Sequence, residues 1–82
     1  MFSGAGGIFT SSRGRTVEIV VNGERRTVRE GTTVRTLLQD LSLPETRVAV
    51  ERNRSIVRKP DFGSTEIEGG DRIEIVTFVG GG

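Results

Sequence analysis

The chain of 82 residues carries 12 basic and 11 acidic side chains, a net charge of +1, and it has no Cys, His, Trp or Tyr. So even a balance gives no electrostatic basis for binding nucleic acid or a membrane surface, and no apolar run approaches the ~20 residues of a membrane span. Without Cys or His there is no disulfide framework, no thiolate or imidazole metal site and no Ser-His or Cys-His catalytic pair, so the inventory suits one small binding or carrier module in a reducing, cytoplasmic compartment rather than an enzyme.

Residues 1–15 are rich in Gly and Ser without a sustained period, and they read as a flexible leader or extension. Ile8 and Phe9 are their strong apolar pair, short of the roughly 7–15-residue apolar stretch of a signal peptide. The first expected strand is Thr16 to Val21, with Val17, Ile19 and Val21 on one face. Asn22-Gly23 follows, a pair suited to a type I′ turn because both central positions need positive φ. The return strand runs from Glu24 to Arg29. A two-residue turn sets Val21 opposite Glu24, Ile19 opposite Arg26 and Val17 opposite Val28. The two valines then share the core face, while the Arg26 stem covers apolar surface and its charge reaches water.

Glu30-Gly31 breaks the strand, and Thr32 or Thr33 is placed to cap a helix. Val34, Leu37, Leu38 and Leu41 form one apolar stripe on a helix of about ten residues that Pro44 ends. The third strand is Arg47 to Arg52, with Val48 and Val50 inward. Asn53-Arg54 reads as a turn and Ser55 to Val57 as a brief partner strand. The connection 58–71 is anchored in the core by Phe62 and Ile67, and Asp71 serves the turn into the last strand. Arg52, Arg54, Arg58 and Lys59 are assigned no role.

The last strand, from Arg72, sets Ile73 and Ile75 on one face and Glu74, Val76 and Phe78 on the other. It leads into Gly80-Gly81-Gly82. An arm without Cβ atoms enters a narrow channel where any side chain would clash, so Gly82 is the expected reactive carboxylate and Gly80 and Gly81 its thin approach. Apolar side chains beside such an arm read as a docking surface, which assigns partner docking to Val76 and Phe78. A hairpin, a helix over one face, and a last strand returning beside the first make an α+β, β-grasp (ubiquitin-like) fold. Its mixed sheet has four to five strands. The expected divisions are a leader at 1–15, the β-grasp domain at 16–79 and a flexible glycine tail at 80–82.

This layout resembles the ThiS-type sulfur carriers of thiamine biosynthesis. The likeness rests on Val21-Asn-Gly-Glu24, on Val48-Ala-Val-Glu-Arg-Asn53, and on Gly70-Asp-Arg-Ile-Glu-Ile-Val-Thr-Phe-Val79 with its Gly-Gly ending. It covers residues 16–82. The middle and final segments favour the thiamine branch over the small subunit of molybdopterin synthase. Two departures are Gly80, where the family often has alanine, and Asn53-Arg54 in place of a more usual Asn-Gly turn.

The resemblance implies that a ThiF-type adenylyltransferase joins the Gly82 carboxylate to AMP with Mg-ATP. A persulfide sulfur donor then yields a thiocarboxylate, and thiazole synthase takes the sulfur for ring formation. The chain itself would bind no cofactor and no metal; ATP and Mg belong to the activating partner. The residues leave open a carrier of the same fold serving molybdopterin or tRNA thiolation, a ubiquitin-like protein modifier, or an interaction domain with an inert tail.

Overall fold

The computed structural model describes residues 14–78, and they form a five-stranded sheet with one α-helix across its inner face. The strands are β1 (Thr16–Val21), β2 (Glu24–Arg29), β3 (Val48–Arg52), β4 (Ser55–Val57) and β5 (Arg72–Thr77), and the helix is α1 (Val34–Asp40). Their order across the sheet is β2-β1-β5-β3-β4. β5 therefore lies in the middle, parallel to β1 and antiparallel to β3, which is the β-grasp arrangement expected from the element order.

The first hairpin has the expected register. Val17 pairs with Val28, Ile19 with Arg26 and Val21 with Glu24. Asn22 and Gly23 take φ of +50° and +84°, the left-handed pair of a type I′ turn. The long connection 58–71 is sewn to the start of α1. The Val34 N–H donates to the Thr65 carbonyl at 3.0 Å, and the Ile67 N–H to that of Thr32 at 2.8 Å. Phe62 and Ile67 are both buried.

Thr33 caps α1: its hydroxyl accepts from the Thr36 N–H, and the Thr36 hydroxyl accepts from the Thr33 N–H. Such reciprocal capping satisfies two donors that a helix start leaves open. Val34, Leu37 and Leu38 are fully buried against Ile19, Val28, Val48, Val50, Ile73 and Ile75 of the sheet. Burying each leucine contributes about 1.5–3 kcal/mol. That packing holds a helix far too short to persist alone.

The helix is seven residues long rather than about ten. Ser42 ends it by turning left-handed at φ +60°, ahead of Pro44. Its N–H donates to the Gln39 carbonyl and that of Leu43 to the Leu38 carbonyl, at 3.0 and 2.9 Å, the paired bonds of a Schellman cap. Leu41 and Leu43 pack against the core at its margin. β3 also starts one residue later than expected, because Arg47 closes a short 3-10 turn, Glu45–Arg47. Among the described residues no helix is long and apolar enough to cross a membrane.

Candidate functional site

β5 is the element that carries the expected site, and its two flanking strands leave it at different points. β3 stays paired along its whole length, from Arg52 opposite Ile73 to Val48 opposite Thr77. The Phe78 N–H then donates to the Arg47 carbonyl at 2.8 Å. β1 pairs only at the start, Val20 with Arg72 and Val21 with Ile73. Its last backbone bond is from the Asn22 N–H to the Ile73 carbonyl, 2.9 Å.

The start of β5 is tied by a polar cluster. Arg52 Nε donates to Asp71 Oδ2 at 2.8 Å and Asn53 Nδ2 to Asp71 Oδ1 at 3.0 Å. The Glu68 N–H donates to Oδ2 at 2.9 Å. Asn53 Oδ1 also accepts from the Arg72 N–H at 2.9 Å. Burial pushes the Asp71 carboxyl up, but the Glu68 N–H, Asn53 and Arg52 together outweigh it and hold the acid below its ordinary value. Asp71 does serve the turn, as expected, and it also clamps the second hairpin to β5. Arg52, expected to be without a role, is the cationic half of this pair. No local signal marks it, because 19 residues separate the partners.

The far end of β5 opens to solvent. Ile73 and Ile75 are buried inward, while Val76 and Phe78 face out with 59% and 51% of their surfaces exposed. Val76 sits directly opposite Ala49 of β3, itself exposed. Ile56 of β4, opposite Glu51, is 74% exposed and joins Ala49 and Phe78 along one groove. The structure thus brings Val76 and Phe78 into one apolar patch and extends it to Ala49 and Ile56. Outward alternation beside Val57 was the available signal for Ile56, but a three-residue strand carries too little pattern to use. Exposed apolar side chains gathered in this way mark interaction surfaces more often than singly scattered ones do.

Gly80, Gly81 and Gly82, the expected arm and reactive carboxylate, lie outside the described residues, as does the leader up to residue 13. Among the described residues no cluster of three His, Cys, Asp or Glu side chains could hold a metal ion.

The match to known proteins spans the whole of this architecture. Residues 14–82 match the ThiS family. The crystal structure of a thiamine biosynthesis protein, ThiS, from Geobacter metallireducens superposes with a TM-score of 0.69 at 33% identity, covering 80% of this chain and all of that one. The sulfur carrier protein ThiS of Bacillus subtilis is 44% identical over 50 residues, 61% of this chain and 76% of its own. A thiazole synthase of Paramagnetospirillum magneticum is 42% identical over 66 residues, 80% of this chain but 20% of its own length. This chain thus spans about a fifth of the thiazole synthases it matches. With its sheet order, its central outgoing strand and a family match over residues 14–82, the chain belongs to the ThiS family of sulfur carriers in thiamine biosynthesis.

Proposed function

We propose that the chain carries sulfur on the Gly82 carboxylate. A carboxylate is a poor electrophile. Transfer of AMP from Mg-ATP to its oxygen, with release of pyrophosphate, supplies a leaving group. A persulfide sulfur attacks the acyl carbon and expels AMP. A thiol then cleaves the resulting acyl disulfide, leaving the thiocarboxylate on Gly82 and a disulfide on the donor side. A chain without Cys or His offers no thiol or imidazole to these steps; its own nucleophile is the carboxylate oxygen that attacks the α-phosphate of ATP. The chain supplies the carboxylate, the thin Gly80-Gly81 approach and a surface for the adenylyltransferase.

The observation that carries the reading is the family match reaching through the Gly-Gly ending. The exposed Val76 and Phe78 support it, since they lie at the far end of the strand that precedes that ending and are suited to docking a ThiF-type adenylyltransferase. Thiazole synthase is the acceptor this reading favours. In two relatives a stretch like this chain forms about a fifth of a protein named thiazole synthase, an arrangement in which carrier and acceptor are covalently joined.

The test is intact-protein mass spectrometry after incubation with the adenylyltransferase, Mg-ATP and a persulfide donor. The chain should gain the mass of one sulfur-for-oxygen exchange. Deleting Gly82 leaves a carboxylate about 3.3 Å short of its former reach. A misplacement near 1 Å already costs about a hundredfold when reacting groups must align, so this variant should stay unmodified. One residue added after Gly82 should block the reaction as well. Thiolation of either variant at the normal rate would remove Gly82 as the reactive group. Conjugates on lysine would indicate a protein modifier instead.

A further inference from the structure

Beyond Ile73 the backbone of β1 no longer supports β5, yet the Ile75 backbone is satisfied on that side. The Ile75 N–H donates to Asn22 Oδ1 at 2.8 Å, and Asn22 Nδ2 donates to the Ile75 carbonyl at 3.2 Å. The side-chain carboxamide presents an acceptor and a donor to the same residue. It thus imitates the two-bond exchange of a paired strand residue. The chain reaches this position because Asn22 opens the type I′ turn at φ +50°, a left-handed conformation that Asn tolerates. Its backbone turns away towards Gly23 while its side chain continues the line of β1 by one rung.

We infer that Asn22 is a positioning residue for the sulfur-carrying arm: its carboxamide holds the far half of β5 from the β1 side and so sets the direction of the backbone into Phe78. The inference rests on Gly82 being the acceptor of AMP and sulfur. Without the carboxamide, the backbone hydrogen bonds of β5 beyond Ile73 are to β3 alone, ending at Phe78 and Arg47, with the buried Ile75 side chain beneath. A strand supported on one side swings about that ladder. Four residues further on, the swing becomes a misplacement of the carboxylate, which lowers turnover more than it weakens docking.

Asn53 supplies an internal control. It too opens a turn in the left-handed region, at φ +51°, and bonds to Asp71 and to the Arg72 N–H, at the end of β5 remote from the arm. Asn22→Gly and Asn53→Gly both keep a turn-compatible backbone and both remove side-chain bonds to β5 and its approach. They differ in which end is released.

The experiment measures thiocarboxylate formation by the full-length chain against carrier concentration, together with amide exchange by NMR. In Asn22→Gly the Ile75 amide should exchange at least about tenfold faster relative to Val50 of β3. The kcat should fall about tenfold or more, with KM for the carrier within about threefold. Asn22→Asp keeps the turn but sets a carboxylate against the Ile75 carbonyl, and it should lower kcat too. Asn53→Gly should leave kcat per folded molecule unchanged. Wild-type kcat in both Asn22 variants overturns the inference, and so does an equal loss in Asn53→Gly, which would reduce the effect to general stability. If the wild-type chain takes no sulfur, the carrier reading fails. The exchange comparison then decides by itself whether Asn22 holds the strand.

Discussion

At its start β5 is tied by Asp71, Arg52 and Asn53; at its far end Val76 and Phe78 stand in solvent and one neutral side chain, Asn22, supplies the support on the β1 side. The first arrangement takes a buried carboxylate and satisfies it with three donors, because a buried charge without partners is costly. The second leaves apolar surface in water, which costs stability and gains nothing for the isolated fold. The contrast separates two jobs at the two ends of one six-residue strand. The start fixes the strand in the sheet, and the exit leaves apolar side chains open to solvent. Substitutions at the two ends should therefore fail in different assays.

The largest effect is expected at the start. Asp71→Ala removes the acceptor of Arg52 Nε, Asn53 Nδ2 and the Glu68 N–H at once. The loss should be about 2–3 kcal/mol, below the 3–5 typical of a fully buried pair, since the Arg52 side chain is 30% exposed and water reaches it when freed. Urea denaturation checks this. The effect also has a pH signature. The Asp71 carboxyl is held below its ordinary value of 3.8, so the folded state favours the ionised form. Its stabilisation is full above that pH and is lost as pH falls through the lowered value. The gap between wild type and Asp71→Ala should stay constant from neutral pH to about 4 and close below it. A gap that widened in acid would reverse the assignment.

At the exit, Phe78→Ala should show the opposite pattern. The ring is half in solvent, so the melting temperature should barely move. Binding to the adenylyltransferase should weaken by about 1–2 kcal/mol, the range of a moderate aromatic anchor. Titration calorimetry on folded protein measures it. A collapse in stability with unchanged affinity would make Phe78 a core residue and erase the contrast between the ends.

How much of this was legible in advance follows the range of the interactions. The β1–β2 register was readable because Asn22-Gly23 admits one tight turn and because a one-residue slip would expose Val17, Ile19 and Val21. The stripe of α1 and the burial of Phe62 and Ile67 followed from spacing and from being the large apolar residues of their segments. The helix end was misplaced because Ser42, not glycine, takes the left-handed cap, and serine gives no clear stop signal. The Arg52–Asp71 pair and the Asn22–Ile75 bonds lie 19 and 53 residues apart in sequence. Nothing local distinguishes these side chains from solvated ones. Val76 and Phe78 could be placed on the outer face by alternation, whereas their grouping with Ala49 and Ile56 needed the β3–β4 register.

The smallest expected effect sharpens the comparison at the second turn. Asn53 and Arg54 take φ of +51° and +73°, so an exposed arginine occupies the position where the first hairpin has Gly23. A residue with a Cβ in the left-handed region carries roughly 1–2 kcal/mol of strain. Glycine removes it, but frees the unfolded chain by about 0.4–1 kcal/mol. Among the described residues Arg54 makes no ion pair. Arg54→Gly should therefore stabilise the fold by about 0.5 kcal/mol, a shift of a few degrees in melting temperature for a domain of this size. The neighbouring Asn53→Gly should act with the opposite sign, because it relieves little strain and deletes the bonds to Asp71 and Arg72. Equal and opposite single effects would assign Arg54 a purely conformational cost and Asn53 a small share of the polar grip that Arg52 and Asp71 also provide. Destabilisation by Arg54→Gly would instead show that the arginine side chain contributes to holding the start of the strand.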